Sequence, residues 1–384
     1  MTSGYLDEDE TPGSDQGFDQ GWGIGFGHHS TGKRVVVTGA AGFIGSHLVD
    51  HLLAADCEVI GIDNFDPWYD RAQKQSNLSA AARNPGFSLL ARDMNGMDLK
   101  AAFNEADVVF HLAARPGVQD SWGSGFADSC QLNVALTQQV FEAALAADVG
   151  RVVYASSSSV YGDGARSGSR AVEPISPYGV SKAAGEQLAA VYRRRGLGVI
   201  NLRFFTVFGP RQRPDMAMFR LIEATGRSQK PFSRRGTGEQ RREFTFVGDV
   251  VAAAAAVGLS PHQGESFDTH SKLACATFDV GGGCTASLNE VIETIEKIAG
   301  VSPAVVDAPS PPGDPQLTVA DIAPLCDLVG WKPSTTLADG LRRQWMWQTL
   351  AEVPATLSRP TARVDVRIED VESPIAQPIE ASAA

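Results

Sequence analysis

The chain has 384 residues, of which 43% are hydrophobic and 20% are charged, and this composition supports a large buried core in one or two closely joined domains. Its formal net charge of −12 disfavours nucleic acids and membrane surfaces as partners, because both are negatively charged. No apolar run reaches the roughly 18 residues of a membrane helix, and five scattered cysteines suit reduced thiols, so we expect a cytoplasmic protein with no metal site.

Short apolar runs alternate with helix-length segments through the first half of the chain. This order predicts an α/β fold with a Rossmann-type, doubly wound parallel sheet. We expect a flexible acidic, glycine-rich tail at 1–31, a cofactor domain at 32–203 and a smaller, mixed α/β substrate region at 204–354 whose elements interleave with it. We expect a disordered tail at 355–384, in which 364–368 is a candidate edge strand. The predicted strands are 35–37, 58–62, 87–90, 108–112, 151–155 and 198–202.

A glycine cluster follows the first predicted strand and opens its helix. Glycines in this context let the backbone turn tightly and approach a pyrophosphate at the helix N-terminus. Asp63 ends the next strand, where an acidic residue binds the adenosine ribose hydroxyls and repels a 2′-phosphate, so NAD is favoured over NADP. The residues assigned to this part of the cofactor site are Gly39, Gly42, Phe43, Ile44, Gly45, Asp63, Asn64 and Phe65.

Small or polar residues also end the next strands along the chain. In a parallel sheet these ends lie at one edge, where a dinucleotide crosses. We therefore add Asp93, Met94, Leu112, Ala113, Ala114 and, on the following helix, Asn133 to the predicted cofactor site.

Tyr178 precedes Lys182 by one helical turn, which puts phenol and ammonium on one helix face. A phenol titrates near pH 10, and a nearby cation favours its ionised form. We therefore expect Lys182 to lower the pKa of Tyr178 enough for it to act as a general base. Ser157, in a run of four serines at a strand end, is the predicted hydrogen-bond partner of a substrate oxygen shared with the phenol.

The GxxGxxG loop, the strand-end serine and Tyr-x-x-x-Lys together resemble the extended short-chain dehydrogenases that epimerise or dehydrate nucleotide sugars. The resemblance covers about residues 33–350. It implies bound NAD, oxidation of a sugar hydroxyl with Tyr178 as base, a nicotinamide ribose held by Lys182, and Phe205 beside the cofactor. It also implies a homodimer formed through paired helices, including that of Tyr178.

The residues after Ser157 separate the reactions of this family. Sugar dehydratases carry Asp-Glu in those two positions and UDP-glucuronate decarboxylases usually carry Glu in the second, whereas this chain has Ser158 and Ser159. Epimerisation at C4 needs only removal and return of a hydride. The sequence therefore fits the simplest reaction of the set.

The segment from Thr206 to Ala217 resembles that of UDP-glucuronate 4-epimerases, as does 63–70. The planar guanidinium of Arg213 matches a C6 carboxylate, with Thr206 and Ser158 as supporting donors. The resemblance also assigns Arg242 to the UDP diphosphate and Arg235 to the uracil, where relatives have Tyr or Phe. The remaining predicted substrate contacts are Gly117, Val118, Met216, Ala217 and Asp314.

The leading hypothesis is therefore conversion of UDP-glucuronate to UDP-galacturonate. A 4-epimerase for neutral sugars such as UDP-glucose or a UDP-N-acetylhexosamine, a UDP-glucuronate decarboxylase, and a non-catalytic NAD-binding scaffold or sensor remain alternatives.

Overall fold

The computed structural model describes residues 32–164, 171–225, 230–260 and 277–350. Both predicted tails, with the candidate strand at 364–368, lie outside these ranges. The strands are β1 Arg34–Thr38, β2 Glu58–Ile62, β3 Phe87–Leu90, β4 Val108–His111, β5 Arg151–Ser157, β6 Val199–Phe204, β7 Val207–Phe208, β8 Phe232–Arg235, β9 Arg241–Glu243, β10 Thr245–Phe246, β11 Thr277–Val280, β12 Thr285–Ser287 and β13 Val305–Ala308.

Helices alternate with the first strands, as the sequence predicts. A short π-helical turn, Gln131–Ala135, joins the fourth helix to the fifth. The helices are α1 Phe43–Ala54, α2 Arg71–Asn77, α3 Leu99–Ala102, α4 Gly125–Cys130, α5 Leu136–Ala146, α6 Pro177–Arg194, α7 Ala217–Glu223, α8 Val247–Leu259, α9 Leu288–Ala299, α10 Ala323–Val329 and α11 Leu337–Leu350.

Seven parallel strands form the central sheet, in the order β11-β6-β5-β4-β1-β2-β3. The order reverses direction at β1, which pairs with both β2 and β4, and this confirms the predicted doubly wound fold. The seventh strand, β11, comes from beyond residue 204 and pairs with β6. Three two-stranded sheets (β7 with β10, β8 with β13, β9 with β12) belong to the second half of the chain.

The two faces of the sheet have separate cores because successive strand residues point to opposite sides. Val35 and Val37 pack in a cluster with α1 and α8, whereas Val36 packs in a cluster with α5 and α6. The alanine-rich α8 approaches the sheet closely, since a Cβ at Gly258 would lie 2.3 Å from the Phe110 ring. No helix in the described part of the chain has the length and apolarity to cross a membrane.

Candidate active site

A cavity of about 560 Å³ opens at the carboxyl ends of the central strands. Ligands of open parallel sheets bind at this edge, beside the strand where the order reverses. Most of the predicted site residues meet here. Those that line the cavity are Gly39, Gly42, Phe43, Ile44, Gly45, Asp63, Asn64, Asp93, Met94, Leu112, Ala113, Ala114, Gly117, Val118, Ser157, Ser158, Tyr178, Lys182, Phe205, Thr206, Arg213 and Met216.

The glycine loop packs too tightly for side chains at two of its positions. Gly39 has φ of +72°, and a Cβ there would lie 2.9 Å from the backbone nitrogen of Ala113. A Cβ at Gly45 would lie 2.0 Å from the carbonyl oxygen of Gly39. The loop thus brings the N-terminus of α1 to the cavity wall with only backbone between, an arrangement suited to a pyrophosphate.

The carboxylate of Asp63 is fixed by two backbone donors. Its Oδ2 accepts from the Ala41 amide at 3.0 Å and its Oδ1 accepts from the Phe65 amide at 2.7 Å. A carboxylate has about four acceptor positions, so two remain for a ligand. Phe65 itself does not line the cavity, because its ring is buried against Ala41 and Leu78.

Asn133, also predicted to contact the cofactor, is buried and holds the loop after β4 instead. Its Oδ1 accepts from the amide of Arg115 at 2.7 Å, and its Nδ2 donates to the carbonyl of Arg115 and to the Ser181 hydroxyl, both at 3.0 Å. These contacts fix the segment that carries Gly117 and Val118 into the cavity.

The predicted catalytic side chains come from β5 and α6. Helix α6 begins beside the cavity because Ser176 caps it, accepting from the Gly179 amide at 3.1 Å, and Pro177 occupies its first turn. One turn later, Lys182 Nζ donates to the carbonyl oxygen of Ala155 at 2.9 Å. This contact anchors the Lys182 ammonium to the end of β5.

The electrostatics of Tyr178 differ from the expectation. Burial raises its pKa, and hydrogen bonding to Ser157 and the charge of Arg213 oppose this rise. Lys182 is not among these causes, so the predicted depression of the Tyr178 pKa by Lys182 is not what the structure shows. Burial also lowers the pKa of Lys182 itself to about 8, against the opposing charge of Glu186. The charge of Arg213 thus favours the ionised phenol.

Glu186 stands one turn beyond Lys182 in a buried network behind the cavity. Its carboxylate accepts from Arg203 at 2.8 and 2.7 Å and from the Ser156 hydroxyl at 2.5 Å. The ion pair between Glu186 and Arg203 joins α6 to β6, and so holds the helix of Tyr178 against the sheet.

The three residues predicted to bind a carboxylate line the same cavity, and one of them has an unexpected partner. Thr206, Ser158 and Arg213 all line the cavity. The Nε and Nη2 of Arg213 donate to the two carboxylate oxygens of Asp215, at 3.0 and 2.9 Å. Ala217, which begins α7, does not line the cavity.

Three other predicted substrate residues lie outside the cavity. Arg242 Nη2 donates to Asp314 at 2.6 Å, so these two pair with each other. Arg235 is exposed at the end of β8.

Several cavity residues were not predicted, chiefly Trp68, Tyr69, Lys74 and Arg115. The Arg115 guanidinium lies 3.8 Å from the Trp68 ring centroid, which links the segment after β2 to the loop after β4. Within the described residues, the Trp68 Nε1 and Tyr69 hydroxyl are buried without a hydrogen-bond partner. The sequence feature that could have indicated these residues is the adjacent aromatic pair Trp68 and Tyr69, which precedes Lys74.

A glycine-loop α/β fold with serine, tyrosine and lysine at one cavity defines the class of short-chain dehydrogenases. Within that class, the chain belongs to the NAD dependent epimerase/dehydratase family, whose model matches residues 35–270.

Relatives align over most of this chain. It is 39% identical to an uncharacterized UDP-glucose epimerase of Bacillus subtilis, over 81% of this chain and 96% of that protein. It is 32% identical to the UDP-glucuronate 4-epimerase of Thermodesulfobacterium geofontis, over 81% and 95%. The solved UDP-glucuronic acid 4-epimerase of Bacillus cereus, in complex with UDP-glucuronic acid and NAD, has 37% identity and a TM-score of 0.77, and the match covers 83% of this chain and 99% of that one.

Proposed function

We propose that this protein is an NAD-dependent isomerase that epimerises UDP-glucuronate at C4 to UDP-galacturonate. The observation that carries the proposal is that Tyr178 and Ser157 share one cavity with Arg213 and Thr206, at the edge where the glycine loop lies. The similarity to UDP-glucuronate 4-epimerases supports the same substrate.

The cradle for NAD consists of residues at the strand ends. The backbone of Gly39, Gly42 and Gly45 leaves room for the pyrophosphate, and Asp63 accepts from the adenosine ribose hydroxyls. When bound, NAD supplies the hydride chemistry, taking the C4 hydride and returning it to the other face of the sugar. Because the hydride returns, no second substrate is consumed.

The side chains of the site manage the proton and the orientation. Tyr178 accepts the proton of the C4 hydroxyl, and Ser157 donates a hydrogen bond to the same oxygen. Burial raises the pKa of Tyr178, so the opposing charge of Arg213 gives that residue a second role beyond substrate binding. Lys182, held by Ala155, is oriented to bind the nicotinamide ribose.

The acid group is the most demanding feature of this substrate, since a 4-keto uronate readily loses CO₂. Arg213, Thr206 and Ser158 hold the carboxylate near the plane of the transient ketone, where the bond to C5 aligns poorly for cleavage. Ser159 offers no carboxyl group for acid or base catalysis, and its hydroxyl oxygen lies 3.1 Å from that of Ser157. This favours epimerisation over decarboxylation or dehydration.

A neutral UDP-sugar is the second candidate substrate, because part of the Arg213 guanidinium is already paired with Asp215. To decide, purified protein shown to contain NAD is mixed with UDP-glucuronate, without added cofactor, and followed by NMR. Formation of UDP-galacturonate supports the proposal. Unchanged UDP-glucuronate beside converted UDP-glucose would favour the second candidate, and a UDP-pentose with CO₂ would mean decarboxylation.

The same proposal assigns residues 32–203 mainly to the cofactor and 204–354 mainly to the sugar nucleotide. In this assignment Arg242, which is paired with Asp314, binds the diphosphate, and Arg235 lies near the uracil. Loss of UDP affinity on replacing Arg242 with methionine would support this, and unchanged affinity would oppose it.

We further propose a cytoplasmic homodimer. Supporting it, α6 exposes Val180 and Val191 at 45% and 52%, and α4 exposes Phe126 at 40%. Among the described residues, the free thiols of Cys130, Cys284 and Cys326 suit a reducing compartment. Light scattering on purified protein tests the dimer, and a monomer at working concentration would refute it.

A further inference from the structure

Arg213 and Asp215 form a side-on pair at the cavity wall. The pair uses one edge of the guanidinium, formed by Nε and Nη2. Among the described residues, Nη1 has no hydrogen-bond partner. Because Arg213 lines the cavity, its free Nη1 edge is the one left for a ligand.

The pair is asymmetric in its exposure. The Arg213 side chain is 17% exposed and that of Asp215 is 38% exposed. Asp215 does not line the cavity, although the next residue, Met216, does. Asp215 therefore touches Arg213 from behind without occupying the place of the substrate.

A second carboxylate on the Nη1 edge would face two opposing effects of Asp215. Asp215 holds the guanidinium in one orientation, which lowers the ordering cost of binding. Its negative charge also repels a second carboxylate through the shared guanidinium, and like charges across an interface weaken binding. A neutral hydroxymethyl group experiences only the first effect.

We propose that Asp215 sets the acid selectivity of the site by neutralising part of the Arg213 charge, so that the pocket tolerates neutral sugars beside uronates. Asp215 is thus a specificity-determining residue that acts through Arg213 and does not contact substrate. The inference rests on the proposed function, because it assumes that C6 of the sugar faces Arg213.

Asp215→Asn separates the two effects. The amide oxygen still accepts a hydrogen bond from the guanidinium, so much of the orientation is kept, while the charge is lost. Asp339→Asn is the matched control, since Asp339 pairs with Arg342 at 2.9 Å on α11, is exposed, and does not line the cavity. Asp215→Ser serves as a second neutral variant if the first does not fold.

The readout is binding, and all proteins compared carry Tyr178→Phe so that neither sugar is converted during the titration. Calorimetry on NAD-loaded protein gives Kd for UDP-glucuronate and for UDP-glucose. We expect the preference for UDP-glucuronate to rise about tenfold in Asp215→Asn, with Asp339→Asn unchanged. A preference within twofold of that of Tyr178→Phe alone, or a lower one, would overturn the role assigned to Asp215.

This test is separable from that of the proposed function. Wild-type protein that binds UDP-glucuronate without epimerising it contradicts the proposed reaction, and the Kd ratio still decides the role of Asp215. Conversely, wild-type epimerisation with an unmoved ratio removes only the Asp215 assignment.

Discussion

Replacing Arg213 by methionine removes a cation that lines the cavity and whose charge opposes the rise in the pKa of Tyr178. Methionine keeps a long, flexible side chain, so the cavity wall stays filled. The variant leaves Asp215 without its partner, and because that carboxylate is 38% exposed, it remains solvated. We expect the fold to persist and the substrate preference to change.

The magnitude follows from the hydrogen bonds that each substrate loses. A hydrogen bond to a charged group contributes about 1.5–3 kcal/mol. Two bonds from the guanidinium to a carboxylate, each taken at the lower end of this range, contribute about 3 kcal/mol. At 1.36 kcal/mol per tenfold, kcat/KM for UDP-glucuronate should fall about 150-fold. A neutral hydroxymethyl group loses about 1 kcal/mol, or roughly fivefold, so the preference should change about 30-fold.

The assay compares kcat/KM on UDP-glucuronate and on UDP-glucose by NMR of the product mixture. Arg342→Met is the control, since Arg342 is an exposed arginine paired with Asp339 away from the cavity. Equal losses on the two sugars would refute the assignment of Arg213 to the carboxylate. A loss of turnover with unchanged substrate affinity would mean that Arg213 acts only through the pKa of Tyr178 and does not bind the carboxylate.

Three further predictions concern catalysis, the buried pair and acid stability. Tyr178→Phe should retain NAD, measured after denaturation, while turnover falls about a thousandfold; activity above a tenth of wild type would show another base. Glu186→Gln leaves the Arg203 charge buried without its anion and should lower the free energy of unfolding by about 3 kcal/mol in urea titrations, and a change below about 1 kcal/mol would contradict this. Burial lowers the pKa of His47 and of His111 from 6.5 to about 3, so stability is full above pH 6.5 and is lost as the unfolded chain gains protons below it. Each of the two histidines should lower the free energy of unfolding by about 2 kcal/mol at pH 5. Equal free energies of unfolding at pH 7 and pH 5 would refute the effect of both histidines.

The parts of the site that the sequence predicts are those governed by local rules. A glycine turn between strand and helix, an acid at a strand end, and two residues one helical turn apart each have a fixed geometry. The rule that parallel strands end at one edge then brings Gly39, Asp63, Ser157 and Tyr178 to one cavity.

The parts that it misses depend on contacts between segments or on burial. Arg242 on β9 pairs with Asp314, distant along the chain, and this contact depends on how β9 packs against the loop that carries Asp314. The pKa of Tyr178 is governed by burial, which local spacing does not report. The Arg213 pair with Asp215 is local in sequence, yet only the side-chain geometry reveals that one edge of the guanidinium is used.

The fate of the C4 hydrogen tests the central claim most directly. UDP-glucuronate carrying deuterium at C4 is incubated in ordinary water with protein that contains NAD and no added cofactor, and the product is analysed by NMR and mass spectrometry. If C4 is oxidised and the same hydride returns, UDP-galacturonate keeps its deuterium at C4. Product that has lost the label to solvent would contradict the account.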